Sequence, residues 1–348
     1  MKRANTVGGL YFLVHFLLEV ISFYVLTSYT DSPFVWLLFL AYDFAAFVPQ
    51  GFFGWLRDIG VRINFALSGL VLTALSLLFM LFDLNVFLII AVLSLGNCMV
   101  HIHGAEVTLR TSSGRITPCA VFVSGGSFGV ITGKLMSSGG VAVPWVLALN
   151  VLMLVPVIVA KRIGESDGSD NLKQYNFSNP RLHAATIILL ATVVVTVRAY
   201  MGYGIPTTWN KTVLQTVALY CSMGLGKALG GVLTDTIGIR RTALISTLGA
   251  LPFLIFGAEI MWVSLIGIAI FSMTMAVSLA LIVSRLQSLP GVAFGFTTLG
   301  LFLGTAPLFF LRIDSVWINC IMISVLTVFC ALILTVICAK REGKNKKE

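Results

Sequence analysis

The sequence predicts an all-helical membrane protein with twelve transmembrane helices in two pseudo-symmetric six-helix halves. Of its 348 residues 58% are hydrophobic and 11% are charged, and the mean hydropathy is +0.98. This composition leaves too little polar surface to cover a water-soluble particle. Apolar runs of membrane-spanning length recur along the chain, and one loop sequence returns after about half the chain.

Twelve apolar runs each approach the roughly 20 residues that a helix needs to cross a bilayer. The first run contains Glu19 and is not followed by a small-residue cleavage site, so we expect a retained span rather than a signal peptide. The predicted spans, numbered 1 to 12, cover residues 8–28, 33–54, 63–82, 84–108, 116–137, 141–160, 183–204, 212–232, 242–258, 261–284, 290–311 and 316–338.

Lysine and arginine are distributed unevenly between the loops. If both termini are cytoplasmic, the far side keeps only Lys211 and Arg312. This bias predicts cytoplasmic termini in a plasma (inner) membrane, and it explains the net charge of +9 without a nucleic-acid partner. The basic residues on the cytoplasmic side are then Lys2, Arg3, Arg57, Arg62, Arg110, Arg115, Lys161, Arg162, Lys173, Arg181, Arg240, Arg241, Arg285, Lys340, Arg341, Lys344, Lys346 and Lys347.

One long polar stretch, residues 161–182, separates the first six spans from the last six. We interpret it as a cytoplasmic linker between an N-terminal half, residues 1–160, and a C-terminal half, residues 183–348, which ends in a basic cytoplasmic tail. We expect a monomer that contacts membrane lipid.

A short loop sequence occurs once in each half. The loop after span 2 reads GFFGWLRDIGVR, and the loop after span 8 reads GGVLTDTIGIRR. Gly54 and Asp58 match Gly231 and Asp235 at an offset of 177 residues. The repeat predicts two homologous halves.

The second copy resembles the GxLxDxxGxRR loop of the major facilitator superfamily. This resemblance implies a transporter whose halves rock about a solute site near the membrane midplane. In such a loop the small residues let helices approach, the aspartate caps a helix end or pairs with a cation, and the arginines hold the cytoplasmic ends together. The gate-loop candidates are Gly54, Asp58, Arg62, Gly231, Asp235, Gly238, Arg240 and Arg241.

A narrower resemblance is to the fosmidomycin-resistance branch, whose members resemble proton-driven exporters. It implies proton coupling and the direction of export. The residues that carry it are His15-Phe16 with Glu19, Pro49-Gln50, Gly96 seven residues before His103, and the span 5 glycines Gly125, Gly126, Gly129 and Gly133.

Charged side chains at membrane depth cost about 2.5–3.5 kcal/mol each, so they normally face the bundle interior. Glu19 has His15 one helical turn away on the same face. Because a carboxyl group in a partly dry cavity can bind and release a proton, Glu19 and Asp43 are the first coupling candidates. A buried ion pair that holds helices in register is the alternative. The deep charges are Glu19, Asp43, Glu106, Lys134, Arg198 and Lys227.

The end of span 4 carries two histidines and a glutamate in the stretch MVHIHGAEVTLR. His103, Glu106 and Arg110 share one helical face, whereas His101 points about 200° away from His103, so these two histidines cannot hold one metal ion. The six cysteines stand singly, and we expect neither a metal nor a disulfide framework. His103 and Glu106 are further coupling candidates, and a hydrogen-bonded core histidine is the alternative for His103.

Span 7 contains Arg198, followed by Gly204-Ile-Pro206, which is expected to break the helix near the outer side. Arginine presents a planar fork suited to carboxylate or phosphate, so with Lys227 it suggests an anionic solute. Pairing of Arg198 with Glu19 or Asp43 is the alternative. The substrate-binding candidates are His15, Arg198, Lys227, Tyr203 and Lys134.

We therefore expect a secondary active transporter that moves a small organic anion by alternating access, coupled to protons and working as an exporter. A uniporter, and a non-transporting sensor or partner protein on a transporter scaffold, are the alternatives. Ser127 lies in a GxSxG pattern, but inside an apolar helix rather than after a strand, so no enzyme is expected. No phosphate loop or dinucleotide motif is present, so no cofactor is expected.

Overall fold

The structure, a computed structural model, describes residues 2–164, 175–311 and 313–339. Three parts of the chain lie outside the described residues: the middle of the predicted linker with Lys173, the outer-loop Arg312, and the basic tail from Lys340 onward. We call the end of the bundle that carries Asp58 and Asp235 the inner end, after the predicted topology, and the opposite end the outer end.

Eleven described helical segments are long and apolar enough to cross a membrane, and the span 3 helix adds a twelfth of 17 residues. The prediction of an all-helical, twelve-span protein is thereby confirmed. Spans 1 to 12 are Lys2–Ser28, Val35–Asp58, Phe65–Leu81, Val86–Thr111, Thr117–Ser138, Val143–Ile163, Ala184–Gly204, Val213–Thr236, Ile239–Phe256, Met261–Val283, Pro290–Phe309 and Val316–Ile337.

The boundaries differ most at the start of span 1. The helix begins at Lys2 rather than at residue 8, because the polar residues before the apolar run continue the same helix. Span 7 ends at Gly204, where the following Ile-Pro sequence was expected to interrupt it.

Span 2 is broken in its inner half. Its two helices are Val35–Phe47 and Gln50–Asp58, and Pro49 lies between them because it has no backbone N–H to continue the ladder. The Gln50 side-chain amide donates to the Ala46 carbonyl across the break at 2.8 Å. This break brings the buried Gln50 side chain into the interior of the bundle.

Spans 1 and 5 pack at backbone distance along a ridge of glycines. A Cβ on Gly125, Gly129 or Gly133 would overlap the backbone of span 1 at Phe12, Phe16 or Val20. This contact places the middle of span 5 directly against the face of span 1 that carries His15 and Glu19.

We predict that replacing Gly129 by valine lowers the free energy of unfolding by about 1–3 kcal/mol or more. The added carbons must displace backbone rather than a flexible side chain. The matched control is Gly9→Val on span 1, where an added Cβ meets nothing within 4 Å. Thermal unfolding in detergent should show a lowered midpoint for the first variant only. Equal midpoints would contradict the packing described here.

The two halves meet at the inner end through both gate loops. Gly54 of span 2 packs against the backbone of Gly291 in span 11, so neither position has room for a side chain. At the related contact Gly231 of span 8 packs against Thr117 and Ala120 of span 5.

Asp58 caps the inner end of span 11 across the halves. Its two carboxylate oxygens accept from the backbone N–H groups of Gly291 at 3.1 Å and Val292 at 2.9 Å. The Arg110 guanidinium of span 4 donates to the same carboxylate at 3.0 Å. The negative charge therefore lies at a helix N-terminus, where free backbone donors favour it.

Asp235 caps span 5 in the same way from the other half. It accepts from the backbone N–H groups of Ile116 at 3.0 Å and Thr117 at 2.9 Å, and from the Thr117 hydroxyl. Arg115 lies 3.7 Å away. Two equivalent aspartate caps thus join the two halves at the inner end.

The other gate-loop candidates lie around these caps. Gly238 has a φ of +93°, a backbone conformation that favours glycine at the turn into span 9. Arg240 is half-buried, and Arg62 and Arg241 are exposed without an ion pair among the described residues.

The described end of the linker also crosses the inner end. The buried Tyr175 hydroxyl donates to the Leu109 carbonyl of span 4 at 2.6 Å. The backbone N–H of Phe177 donates to Ser284 of span 10, and that of Asn179 donates to the Ile337 carbonyl of span 12. This segment therefore joins spans from both halves.

Candidate functional site

Glu19 lies at the centre of a buried polar cluster built by spans 1, 2 and 4. The Asn97 amide of span 4 donates to its carboxylate at 2.8 Å. The same amide nitrogen lies 3.1 Å from the Ser22 hydroxyl and 2.9 Å from the Tyr42 hydroxyl. Glu19 is only 5% exposed, and no lysine or arginine forms an ion pair with it within the described part of the chain. A buried carboxylate without a charged partner is stabilised when it binds a proton or another cation.

His15 and Glu19 face each other with one hydrogen-bond acceptor atom each. His15 Nδ1 lies 2.9 Å from the Phe122 carbonyl, which can only accept, so Nδ1 carries the hydrogen. In a neutral imidazole Nε2 is then an acceptor, and it lies 3.8 Å from a Glu19 carboxylate oxygen. A proton held by either group, or another cation between them, relieves this arrangement.

His101 stacks on His15 from span 4. The ring centroids are 4.4 Å apart, and His101 is 6% exposed. Its Nδ1 contacts the Gln50 amide at 3.2 Å, whereas its Nε2 has no hydrogen-bond partner among the described residues. Phe294 of span 11 packs against the His101 ring from the other half, so the cluster lies at the boundary between the halves.

Asp43 lies on the next span beside Glu19. It is half-buried and interacts electrostatically with Glu19, and it forms no hydrogen bond or ion pair with the rest of the described chain. The two first coupling candidates are therefore near each other, and neither forms an ion pair with a lysine or arginine in the part of the chain that the structure describes.

The last six spans contribute positive charge to the same region. Lys227 of span 8 donates to Ser127 of span 5 at 2.8 Å, and it interacts electrostatically with Glu19 and His15. Ser127 follows Gly126, where a Cβ would meet the His15 ring. Lys227 therefore reaches across the halves toward the Glu19 cluster.

Arg198 is the more buried of the two cations. It is 7% exposed, its guanidinium carbon lies 5.3 Å from the centroid of the Phe271 ring, and its Nε has no hydrogen-bond partner within the described residues. No carboxylate pairs with it in the part of the chain that the structure describes, so its proposed pairing with Glu19 or Asp43 is absent here. Arg198 and Lys227 also act on each other electrostatically. Within the described residues, neither Arg198 nor Lys227 forms an ion pair with a carboxylate.

The remaining substrate-binding candidates lie away from this centre. Lys134 donates to the Tyr220 hydroxyl at 3.0 Å and lies 5.5 Å from the centroid of the Phe23 ring, at the outer ends of spans 5 and 8. Tyr203 is 72% exposed near the outer end of span 7. Both lie near the outer ends of their spans.

Glu106 and His103 belong to the inner end. Glu106 accepts from Arg57 at 2.5 Å and from Arg110 at 2.8 Å, so it joins the network of the Asp58 cap. His103 Nε2 lies 2.9 Å from the Tyr11 hydroxyl in a separate buried contact. Of the coupling candidates, only Glu19 and Asp43 share the central region.

Sequence reasoning missed several members of the central cluster, namely Ser22, Tyr42, Gln50 and Asn97. Asn97 and His101 are four residues apart on span 4, as His15 and Glu19 are on span 1. This spacing places each pair on one helical face. It is the one feature of the sequence that groups Asn97 with His101. Nothing in the spacing shows that the two faces meet.

Aromatic contacts also join the halves toward the outer end. Trp36 of span 2 packs against Phe310 beside span 11, with ring centroids 6.0 Å apart, and Phe44 packs against Phe302 at 5.6 Å. Spans 2 and 11 are thus in contact both at the Asp58 cap and toward the outer end.

Two solved membrane transporters show the same architecture. A bacterial homologue of the iron transporter ferroportin, in an outward-facing state, has a TM-score of 0.59 at 12% identity, covering 96% of this chain and 98% of that one. A variant of the E. coli fucose:proton symporter has a TM-score of 0.65 at 13% identity, covering 97% of each chain. No family model matches the sequence, and no curated protein sequence matches it.

These likenesses cover nearly the whole chain and show its fold. The protein is an integral membrane protein with the major facilitator fold, as the repeated loop indicated. The narrower resemblance to the fosmidomycin-resistance branch stays a prediction.

Proposed function

We propose that the protein is a secondary transporter that moves a small organic anion by alternating access in exchange for protons. The observation that carries this proposal is the buried Arg198, which has no acidic partner among the described residues. A buried charge without a partner is costly, so such a residue is retained where a charge of opposite sign binds. Lys227 adds a second cation nearby.

The division of charge between the halves supports proton coupling. Glu19 and Asp43 lie on the first six spans, whereas Arg198 and Lys227 lie on the last six. Rocking of the halves changes the distance between these groups, and with it the affinity of the acids for protons and of the bases for an anion. Lys227 contacts Ser127 across the boundary between the halves. This position suits it to couple proton binding at Glu19 and Asp43 to anion binding at Arg198.

We also propose the following topology. Both termini face the cytoplasm of a plasma (inner) membrane, and residues 1–160 and 183–348 form the moving halves of a monomer. The positive charge at the inner end supports this orientation, and the export direction follows only from the branch resemblance.

Solute counterflow in proteoliposomes tests transport itself. Liposomes with purified full-length protein are loaded with one solute class, either organic anions, sugars or cationic drugs, and uptake of a labelled trace of the same class is measured. We expect uptake above that of empty liposomes for an anion only. Uptake of a cation or sugar in place of anions would overturn the substrate class, and absence of uptake for all three would favour a non-transporting protein.

A further inference from the structure

The central cluster contains more ligand atoms than a proton requires. One ligand atom from each of His15, Glu19 and His101 lies within 4.8 Å of the others, and all three residues are buried. A proton shared by His15 and Glu19 leaves the His101 Nε2 unused and without a partner in the described chain. This third atom requires its own explanation.

We infer that His15, Glu19 and His101 form a binding site for a divalent first-row transition-metal ion such as Zn²⁺ or Co²⁺. Two imidazoles and one carboxylate are a ligand set that these ions accept, with further coordination positions left to water or a bound solute. The inference concerns binding alone and is independent of the proposed anion transport.

The distances fit with small side-chain movements. Ligand atoms at about 2.0–2.2 Å from a tetrahedral ion are roughly 3.5 Å apart. His15 Nε2 and the Glu19 oxygen, at 3.8 Å, already approach this separation. The other separations have to shorten by less than about 1.5 Å, since one ligand atom from each of the three residues lies within 4.8 Å of the others.

The surroundings supply the outer contacts of a metal site. His15 donates its other ring hydrogen to the Phe122 carbonyl, and Asn97 donates to Glu19, which are the contacts that orient metal ligands. Coordination through His101 Nε2 places the hydrogen on Nδ1, which faces Gln50. A rotation of the Gln50 side chain that breaks its hydrogen bond to the Ala46 carbonyl presents Oε1, which has no partner among the described residues, to that hydrogen.

Two charged groups act on this site from neighbouring spans. Asp43 interacts with Glu19 and favours a cation, whereas Lys227 opposes it. Lys227 is held by Ser127 rather than by a site residue. A bound ion would occupy the same acceptors as the proton between His15 and Glu19, so metal and proton exclude each other.

Spectroscopic titration with Co²⁺ tests the inference directly. The purified, tag-free full-length protein in detergent is titrated with Co²⁺, and binding is followed by visible d–d absorption and by displacement with Zn²⁺. We expect one ion per wild-type chain. Glu19→Gln and His101→Gln should each weaken binding by more than about 100-fold, because losing even an outer-shell partner costs 10–100-fold.

The matched control is His103→Gln, a buried histidine two residues away that contacts Tyr11 instead. It should bind Co²⁺ like the wild type. Absence of saturable binding to the wild type, or His101→Gln binding as tightly as the wild type, would overturn the inference. Because no solute or gradient is present, neither result depends on transport.

A second measurement on the wild type does not require the variants to fold. Zn²⁺ should protect His15 and His101, but not the exposed His183, from chemical modification of imidazole read by mass spectrometry. Equal modification of His101 with and without Zn²⁺, under conditions in which metal-free His101 is modified, would also overturn the inference.

Discussion

Replacing Arg198 by methionine is expected to make the solute-free protein more stable and to weaken its binding of anions. Methionine removes a buried charge that has no acidic partner within the described residues and keeps an apolar contact with Phe271. Replacing buried charges by well-packed apolar groups stabilises proteins by about 1–4 kcal/mol. Thermal unfolding in detergent without solute should therefore show a raised midpoint.

The same variant should bind anions more weakly. A hydrogen bond to a charged group contributes about 1.5–3 kcal/mol, so loss of Arg198 should weaken binding by roughly 10–100-fold. Arg198→Lys keeps the charge but not the planar fork, so its affinity for the anion should lie between those of the wild type and Arg198→Met. Arg162→Met, at an exposed arginine, is the matched control and should change neither stability nor binding. A lowered midpoint in Arg198→Met would indicate a structural ion pair instead of a solute site.

Removing the two aspartate caps is expected to open the inner end. In Asp58→Asn and Asp235→Asn an amide nitrogen replaces one of the oxygens that accept from backbone N–H groups of spans 11 and 5. Each change removes a charge-assisted hydrogen bond of about 1.5–3 kcal/mol, so the closed state should become roughly 10–100-fold less favoured per substitution.

A cysteine at Ala120 reports this opening. Ala120 is buried and faces Gly231 across the halves, so its labelling requires separation of spans 5 and 8. The rate of alkylation at this position, read by mass spectrometry, should rise in each variant and most in the double variant. Asp31→Asn, at an exposed outer position, is the control. Unchanged labelling in the double variant would contradict the role of the caps.

The fold could be predicted because the membrane imposes its own pattern on the sequence. Each span must be apolar over a fixed length, and the repeated Gly and Asp of the two gate loops identified the internal symmetry. Span boundaries were less certain where polar residues continue a helix, as before the apolar run of span 1.

The central site could be predicted only in part. Glu19, Asp43, Arg198 and Lys227 were identified as charges at membrane depth, which is a property of each span alone. Their partners depend on how spans pack. His15 meets His101 where spans 1 and 4 pack, and Lys227 reaches Ser127 where spans 8 and 5 pack. One sequence does not reveal either contact.

Solute-driven proton movement tests the central claim most directly. Acid-loaded proteoliposomes with a pH-sensitive dye are given the anion identified by counterflow, with a metal chelator present so that only protons can occupy the Glu19 cluster. Wild-type protein should dissipate the pH gradient when the anion is added. Glu19→Gln should not, whereas Glu259→Gln, at an exposed glutamate near the outer end, should behave like the wild type.

The account predicts that Glu19→Gln retains anion counterflow, because exchange of anion for anion needs no net proton transfer, while losing the anion-driven proton signal. Anion-driven proton movement that persists undiminished in Glu19→Gln would contradict coupling through Glu19. Anion counterflow by wild-type protein without any proton signal would contradict proton coupling altogether.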